Sequence, residues 1–315
     1  MNFGHNDFLR PRQAAVCDGA NKPRRTGDAR PTALQIIQDE GLEGKMIDKV
    51  FLVTGTSAGI GPDTAKALAA TGGKVFMTVR DMKKGEAACA SFLEAGRSDR
   101  LNVLVCNAGI MAAPFSKTKD GFESQFGVNH LAHFLLFNLL KDTLLASSTP
   151  EFNSRVVTVA SSGHQMGGVQ FGNFSFEDGS YTPWGGYRQA KTANIYIANE
   201  IENRFGAKGL HGLSLHPGGI MTRLQKHVDK DMMASWDRPE INKIFKSTAQ
   251  GAATTVFAAV SAPYEGKGRL YLEDCRPSTL TTTGDSFSGY VAHAFDKEKE
   301  AKLWGESLKM VGLSA

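Results

Sequence analysis

Cysteine is scarce: Cys17, Cys89, Cys106 and Cys275 are scattered over 315 positions with no CxxC pair and no metal-ligand spacing. That excludes a disulfide-stapled scaffold and a structural zinc site, and points to a reducing compartment. Long hydrophobic runs are missing too. The most apolar stretches, Leu131 to Leu140 and Gly251 to Ala262, fall well short of the ~20 residues that a membrane span needs. The N-terminus carries no apolar secretory segment, so the cytoplasm is the expected location. Nor is there a large charge of one sign. The net charge is +4, and six Lys/Arg against three Asp in residues 1–30 supply most of it. The nearly neutral remainder offers no basic face to a nucleic-acid backbone. With 34 glycines, 11 prolines, 41% hydrophobic residues and no fixed-period repeat, the chain is neither collagen-like nor low-complexity, and has material for a sizeable core.

What is present is an alternation. Residues 1–30 mix Gly, Pro, Asn and charge without a sustained period and read as a flexible N-terminal extension. Residues 31–315 read as a single domain. Thr32 caps a short helix ended by Gly41. Nearly continuous apolar runs then recur at Lys49 to Thr54, Lys74 to Val79, Leu101 to Val105, Arg155 to Ala160, Leu213 to His216 and Leu270 to Leu272, as strands buried on both faces require. Helical patterns separate them at Asp63 to Ala70, Gly121 to Leu140, Tyr187 to Phe205 and Thr248 to Val260. Alternating strand and helix predicts an α/β fold with a Rossmann-like, doubly wound parallel sheet.

The first strand runs into Thr54-Gly55-Thr56-Ser57-Ala58-Gly59-Ile60-Gly61 and then a helix, the order a dinucleotide site requires. Gly55 permits the tight turn, Gly59 lets backbone approach a pyrophosphate and Gly61 allows close helix packing. Arg80, at the tip of the second strand, offers a guanidinium fork to a 2′-phosphate and favours NADP over NAD. Tyr187 and Lys191 stand at i and i+4, on one helix face. A phenol titrates near ~10 in water, so proton transfer near neutrality calls for a neighbouring cation such as Lys191. His130, His164 and His216 invite a serine-hydrolase reading, but the chain contains no GxSxG elbow.

The glycine turn, Asn107-Ala108-Gly109, Val128-Asn129-His130, Ser161-Ser162, Tyr187-xxx-Lys191 and His216-Pro217-Gly218, in this order, resemble the short-chain dehydrogenase/reductase family. TALQII, CNAGIM, SSGH, the long gap from Ser162 to Tyr187 and QGAATTVFA are similar to its retinol-dehydrogenase and WW-domain-oxidoreductase-like branch, especially the fungal members. The resemblance implies hydride transfer between nicotinamide and a carbonyl or carbinol carbon. It makes Tyr187 the general acid/base, Lys191 the residue that lowers the phenol's pKa and holds the ribose, and Asn129 a member of the proton relay. Ser162 is the serine expected to hydrogen-bond the substrate oxygen, with Ser161 as the alternative. Gly55, Ser57, Ala58, Gly59, Ile60, Gly61, Asn107, Gly109, Ile220 and Thr222 are expected along the cofactor, and no metal is implied. Pairing into a homodimer through the helices bearing Asn129 and Tyr187 is also implied.

One departure stands out. The family continues after its second strand with helix, third strand, an adenine-recognising Asp and another helix, whereas only residues 81–100 separate Arg80 from the next strand here. A single βαβ unit takes roughly 30 residues. The third strand and a flanking helix are therefore expected to be missing, with Met82 to Ala95 as the sole crossover, a sheet order of 2-1-4-5-6-7 in the family's numbering, and the second strand at an edge. Met221 to Phe245, with Leu224, Val228, Met232, Met233, Trp236, Ile241 and Phe245 among charges, reads as an amphipathic lid over a pocket for a small hydrophobic carbonyl compound or alcohol, including a secondary metabolite. Trp184 is expected to border that pocket. The competing reading is a non-catalytic or cofactor-impaired relative.

Overall fold

The computed structural model describes residues 27–78, 99–282 and 287–314. Helix α1 (Ala33–Asp39) is capped as expected, the Thr32 side chain accepting from the Gln35 amide. Strand β1 (Val50–Val53) leads to α2 (Gly61–Ala70) and β2 (Lys74–Met77). β3 (Val103–Cys106) is followed by a short helical turn at Ser124–Phe126, a π-helical stretch at Gly127–Leu131 and α3 (Ala132–Ser147). β4 (Ser154–Val159), α4 (Pro183–Phe205) and β5 (Leu210–His216) come next. Then follow α5 (Lys230–Trp236), α6 (Pro239–Ile244), α7 (Ala253–Val260), β6 (Leu270–Glu273), β7 (Arg276–Pro277) and α8 (Lys297–Met310).

The strands form one seven-stranded sheet of order β2-β1-β3-β4-β5-β6-β7, parallel except for β7, which pairs antiparallel with β6. The pleat sorts alternate residues to opposite faces. Phe51, Val53, Val103, Val105, Val157, Val159, Leu213 and Leu215 pack with α1, α2 and α7. Val50, Leu52, Leu104, Cys106, Val156 and Leu210 pack with α3, α4 and α8, through Phe134, Phe137, Ile197, Trp304 and Leu308. β1, β3, β4 and β5 are buried throughout, whereas β2 exposes Lys74 and Met77.

Among the described residues β2 pairs only with β1, so the order expected for a sheet without the family's third strand holds, extended by β7. Met82 to Ala95, expected as the crossover, and Arg80, expected at the cofactor, lie outside the described residues. So do residues 1–26 of the extension, but its last four residues correct the expectation of a free lead-in. The Gly27 amide donates to the Gln250 side chain, and Arg30 is buried against residues 243–245. A buried guanidinium needs partners for its donors, and the C-terminal end of α6 provides them.

Candidate active site

The C-terminal ends of β1, β3, β4 and β5 open on one edge of the sheet, where open α/β folds place their ligands. A cavity of about 680 Å³ lies there. Its cofactor-like half is shaped by glycine. Gly55 has φ +71°, and a Cβ on it would lie 2.6 Å from the Ala108 Cα; a Cβ on Gly61 would lie 2.3 Å from the Gly55 carbonyl oxygen. The turn therefore folds tightly onto the loop after β3. Asn107 locks it, donating from Nδ2 to the carbonyls of Thr54 (2.8 Å) and Gly55 (3.2 Å). No side chain caps α2, whose first turn holds Pro62, so its leading amides remain available to an anion. Ser57, Ala58, Gly59 and Ile60 line the cavity, as do Gly109, Ile220 and Thr222 from the other loops.

Tyr187 and Lys191 lie on adjacent turns near the start of α4, which opens with Thr182 accepting from the Gly185 amide and Pro183 in its first turn. Both side chains face the cavity although both residues are buried. The Lys191 Nζ donates to the Val159 carbonyl at 2.8 Å and stands 5.6 Å from the centre of the Tyr187 ring. Burial pushes the Tyr187 phenol up to about 12, opposed by a hydrogen bond with the Ser161 side chain. Burial pushes the Lys191 ammonium down to about 8.

Ser162, the expected serine, and Ser161, its alternative, both line the cavity. Ser161 stands in extended backbone just past the end of β4, its hydroxyl accepting from the Gly163 amide at 3.0 Å; a Cβ on Gly163 would lie 3.1 Å from the Tyr187 ring and 3.3 Å from Ser161 Oγ, so the two side chains adjoin. Ser162 opens the following 3-10 turn; it lines the cavity, and its amide donates to His216 Nδ1 at 3.3 Å. His164 supports Ser161 from behind: its Nδ1 is 2.6 Å from the Ser161 carbonyl, which can only accept, so this nitrogen carries the proton.

Asn129 lies within the π-helical stretch and braces the loop after β3. Its Oδ1 accepts from the Ile110 amide at 2.8 Å, and its Nδ2 donates to the Ile110 carbonyl at 2.9 Å. A Cβ on Gly109 would lie 3.1 Å from Asn129 Oδ1 and 3.6 Å from Lys191 Nζ, so these three positions adjoin. His133, one turn beyond, was not singled out in the sequence. Its Nδ1 donates to the Asn129 carbonyl (2.9 Å), leaving Nε2 to accept from the Thr54 hydroxyl (3.0 Å). Thr54 itself accepts from the amides of Asn107 and Ala108.

Opposite the glycine turn the wall is apolar. Met111, Trp184, Leu224, Met232, Trp236, Ile241 and Phe245 line it, including most of the expected lid and the tryptophan expected at its border. Val228 packs beside the cluster of Met111, Ala112 and Tyr187. Trp184 meets Trp236 edge-on, ring centres 6.4 Å apart. Met166, Ile244 and Phe287 also line the cavity without having been legible as site residues, as do the polar Gln165, Arg223, Gln225 and Lys226.

A family model described as short chain dehydrogenase matches residues 49–100. Short-chain dehydrogenase/reductase prx1 of Penicillium roqueforti is 53% identical over 314 residues, spanning 91% of this chain and 92% of that protein. Retinol dehydrogenase 14 of Mus musculus is 33% identical over 88% of this chain and 90% of its own length. A crystal structure of an uncharacterized protein from Mycobacterium Paratuberculosis superposes with a TM-score of 0.62 at 29% identity, covering 84% of this chain and 94% of that one. With its glycine turn, its Tyr-Lys helix and relatives matched along most of their length, this chain belongs to the short-chain dehydrogenase/reductase family.

Proposed function

We propose that the chain is an NADP-dependent oxidoreductase that interconverts a carbonyl and an alcohol on a small apolar substrate, with Tyr187, Ser161, Lys191 and Asn129 as its working residues. The observation that carries this reading is that Tyr187, Lys191 and Ser161 line one cavity together with the glycine turn. The residues present suit a dinucleotide: the turn is packed too closely for any Cβ at Gly55 or Gly61, and the amides at the start of α2 suit a pyrophosphate. Gly55 through Gly61, Asn107, Gly109, Ile220, Thr222 and Lys191 are the residues to hold it, with Arg80 assigned to the 2′-phosphate. When bound, the nicotinamide supplies or accepts the hydride.

The protein's own contribution is to the substrate oxygen. In reduction, the Tyr187 hydroxyl gives its proton to that oxygen while the Ser161 hydroxyl donates a hydrogen bond that steadies the developing negative charge. Lys191, with its affinity for protons lowered to about 8, is poised to replace the proton Tyr187 has lost. Asn129 keeps the loop after β3 in place beside it. Oxidation of an alcohol runs the same transfers backwards. The apolar wall excludes water and binds the substrate's hydrocarbon part.

Titration of the purified protein with NADPH and with NADH, followed by nicotinamide fluorescence, tests the reading. Saturable binding with a preference for NADPH that weakens in Arg80→Ala is expected, together with a fall of roughly 10²–10⁴ in turnover for Tyr187→Phe. Failure of a folded, monodisperse sample to bind either nucleotide would overturn it in favour of a non-catalytic relative.

A further inference from the structure

One wall of the cavity has almost nothing beneath it. α5 and α6 are seven and six residues long, and neither contains a buried residue. Helices this short have little stability of their own, so their end attachments decide where the wall stands. Yet Met232, Trp236, Ile241, Ile244 and Phe245 of this region line the cavity.

Besides the contacts of the Lys246 ammonium with Asp274 and with the Pro217 carbonyl (3.3 Å), two attachments are visible at the C-terminal end of α6. The Lys246 amide donates to the Gly219 carbonyl at 2.8 Å, tying the chain to the loop after β5. The other comes from more than 200 residues away. Arg30 Nη1 donates to the Ile244 carbonyl (2.9 Å), and Nη2 donates to the carbonyls of Phe245 (2.5 Å) and Lys243 (3.4 Å). Its Nε donates to Asp28 at 2.9 Å, and its side chain is 3% exposed. A cation on the last carbonyls of a helix satisfies groups that have no partner within the helix and complements its dipole. Gln250, itself buried, holds the segment that carries Arg30: its Nε2 donates to the carbonyls of Asp28 (3.1 Å) and Arg30 (3.0 Å), and its Oε1 accepts from the Gly27 amide.

We propose that Arg30 is a positioning residue of the substrate pocket, a clamp that holds the α6 wall in place and so sets the preference for longer over shorter chains among small apolar substrates. The specificity half rests on the reading of the cavity given above, whereas the clamp itself does not. Its guanidinium fork engages three carbonyls of one helix end, a geometry that a lysine cannot reproduce. Loosening the wall removes apolar contacts that bind a long substrate and leaves the groups at the reacting oxygen where they are. The expected signature is therefore a change in KM with kcat retained.

The test compares the full-length protein with Arg30→Ala and Arg30→Lys in two measurements. Amide hydrogen exchange is followed in peptides covering 230–245 and, as a control, 187–201. NADPH-supported reduction is followed with decanal and with propanal. Arg30→Ala is expected to speed exchange at least tenfold in 230–245 with 187–201 unchanged, and to raise KM at least fivefold for decanal with KM for propanal and both kcat values within twofold. Arg30→Lys is expected to fall between. Unchanged exchange in 230–245, or equal acceleration in 187–201, overturns the clamp, and an equal rise in KM for both aldehydes overturns the specificity. If the wild type reduces neither aldehyde, the specificity falls with the functional reading, and the exchange measurement still decides the clamp. Should Arg30→Ala not fold, Arg30→Lys and Gln250→Ala carry the same measurements.

Discussion

Ser161 and Ser162 both line the cavity and Ser161 adjoins Tyr187, so under the proposed reading a one-residue distinction determines which substitution removes a donor from the substrate oxygen. Ser161→Ala is expected to lower kcat by roughly 10²–10³, the usual cost of one donor at a developing oxyanion. Ser162→Ala keeps its amide bond to His216 and is expected to leave kcat near wild type. Steady-state reduction of one aldehyde by both variants checks this, and the reverse ranking would restore Ser162 to the role. Tyr187, Lys191 and the glycines were legible because fixed spacing on a helix or turn dictates what faces the site. The choice between the two serines was not, because a side chain's direction there depends on where β4 stops, and RVVTVASS marks no end point. Arg30 was illegible for another reason: its partners are carbonyls 213 to 215 positions away, which leave no trace in side-chain pattern.

At the scale of elements, the site depends on how closely α4 stands on the sheet, since that helix carries both Tyr187 and Lys191. The contact is closest at Gly212 of β5, where a Cβ would lie only 2.0 Å from the Ala198 carbonyl oxygen of α4. Two backbone segments meet there, and neither can yield as a flexible side chain could. Gly212→Ala is therefore expected to push α4 off the sheet at a cost of about 1–3 kcal/mol or more. A lower urea midpoint with an unchanged slope, accompanied by a drop in turnover, checks it; an unaltered midpoint would show that the helix shifts freely. The strands buried on both faces were readable as continuous apolar runs, whereas β7, with two residues, carries no pattern to read. The lid was visible as apolar residues among charges, but its division into α5 and α6 follows from local caps: Asp229 accepting at the start of α5 and Pro239 opening α6.

Over the whole molecule, burial lowers the pKa of His293 and, further, of four other histidines among the described residues, to about 3 for His130 and His216 and about 4 for His133 and His164. Two of them accept hydrogen bonds that protonation would turn into opposed donors. His216 Nδ1 accepts from the Ser162 amide. His133 Nε2 accepts from Thr54, whose oxygen already takes the amides of Asn107 and Ala108. Between pH 6.5 and about 4 the unfolded chain binds protons at these positions that the folded chain refuses, so stability rises with pH across that window and is lost as pH falls. At pH 5.5 each of these histidines withdraws on the order of 1 kcal/mol, so the four together remove a few kcal/mol from a total that for ordinary domains is about 5–15 kcal/mol. The urea midpoint is expected to hold steady from pH 8 to 7, drop sharply at 5.5 and vanish near 4.5. Because His133 and His216 brace the glycine turn and the loop after β4, nucleotide affinity is expected to decline alongside it. A His216→Gln variant, which keeps an acceptor but cannot be protonated, should lose less stability between pH 7 and 5.5 than the wild type. An equal loss in both proteins would place the acid sensitivity elsewhere.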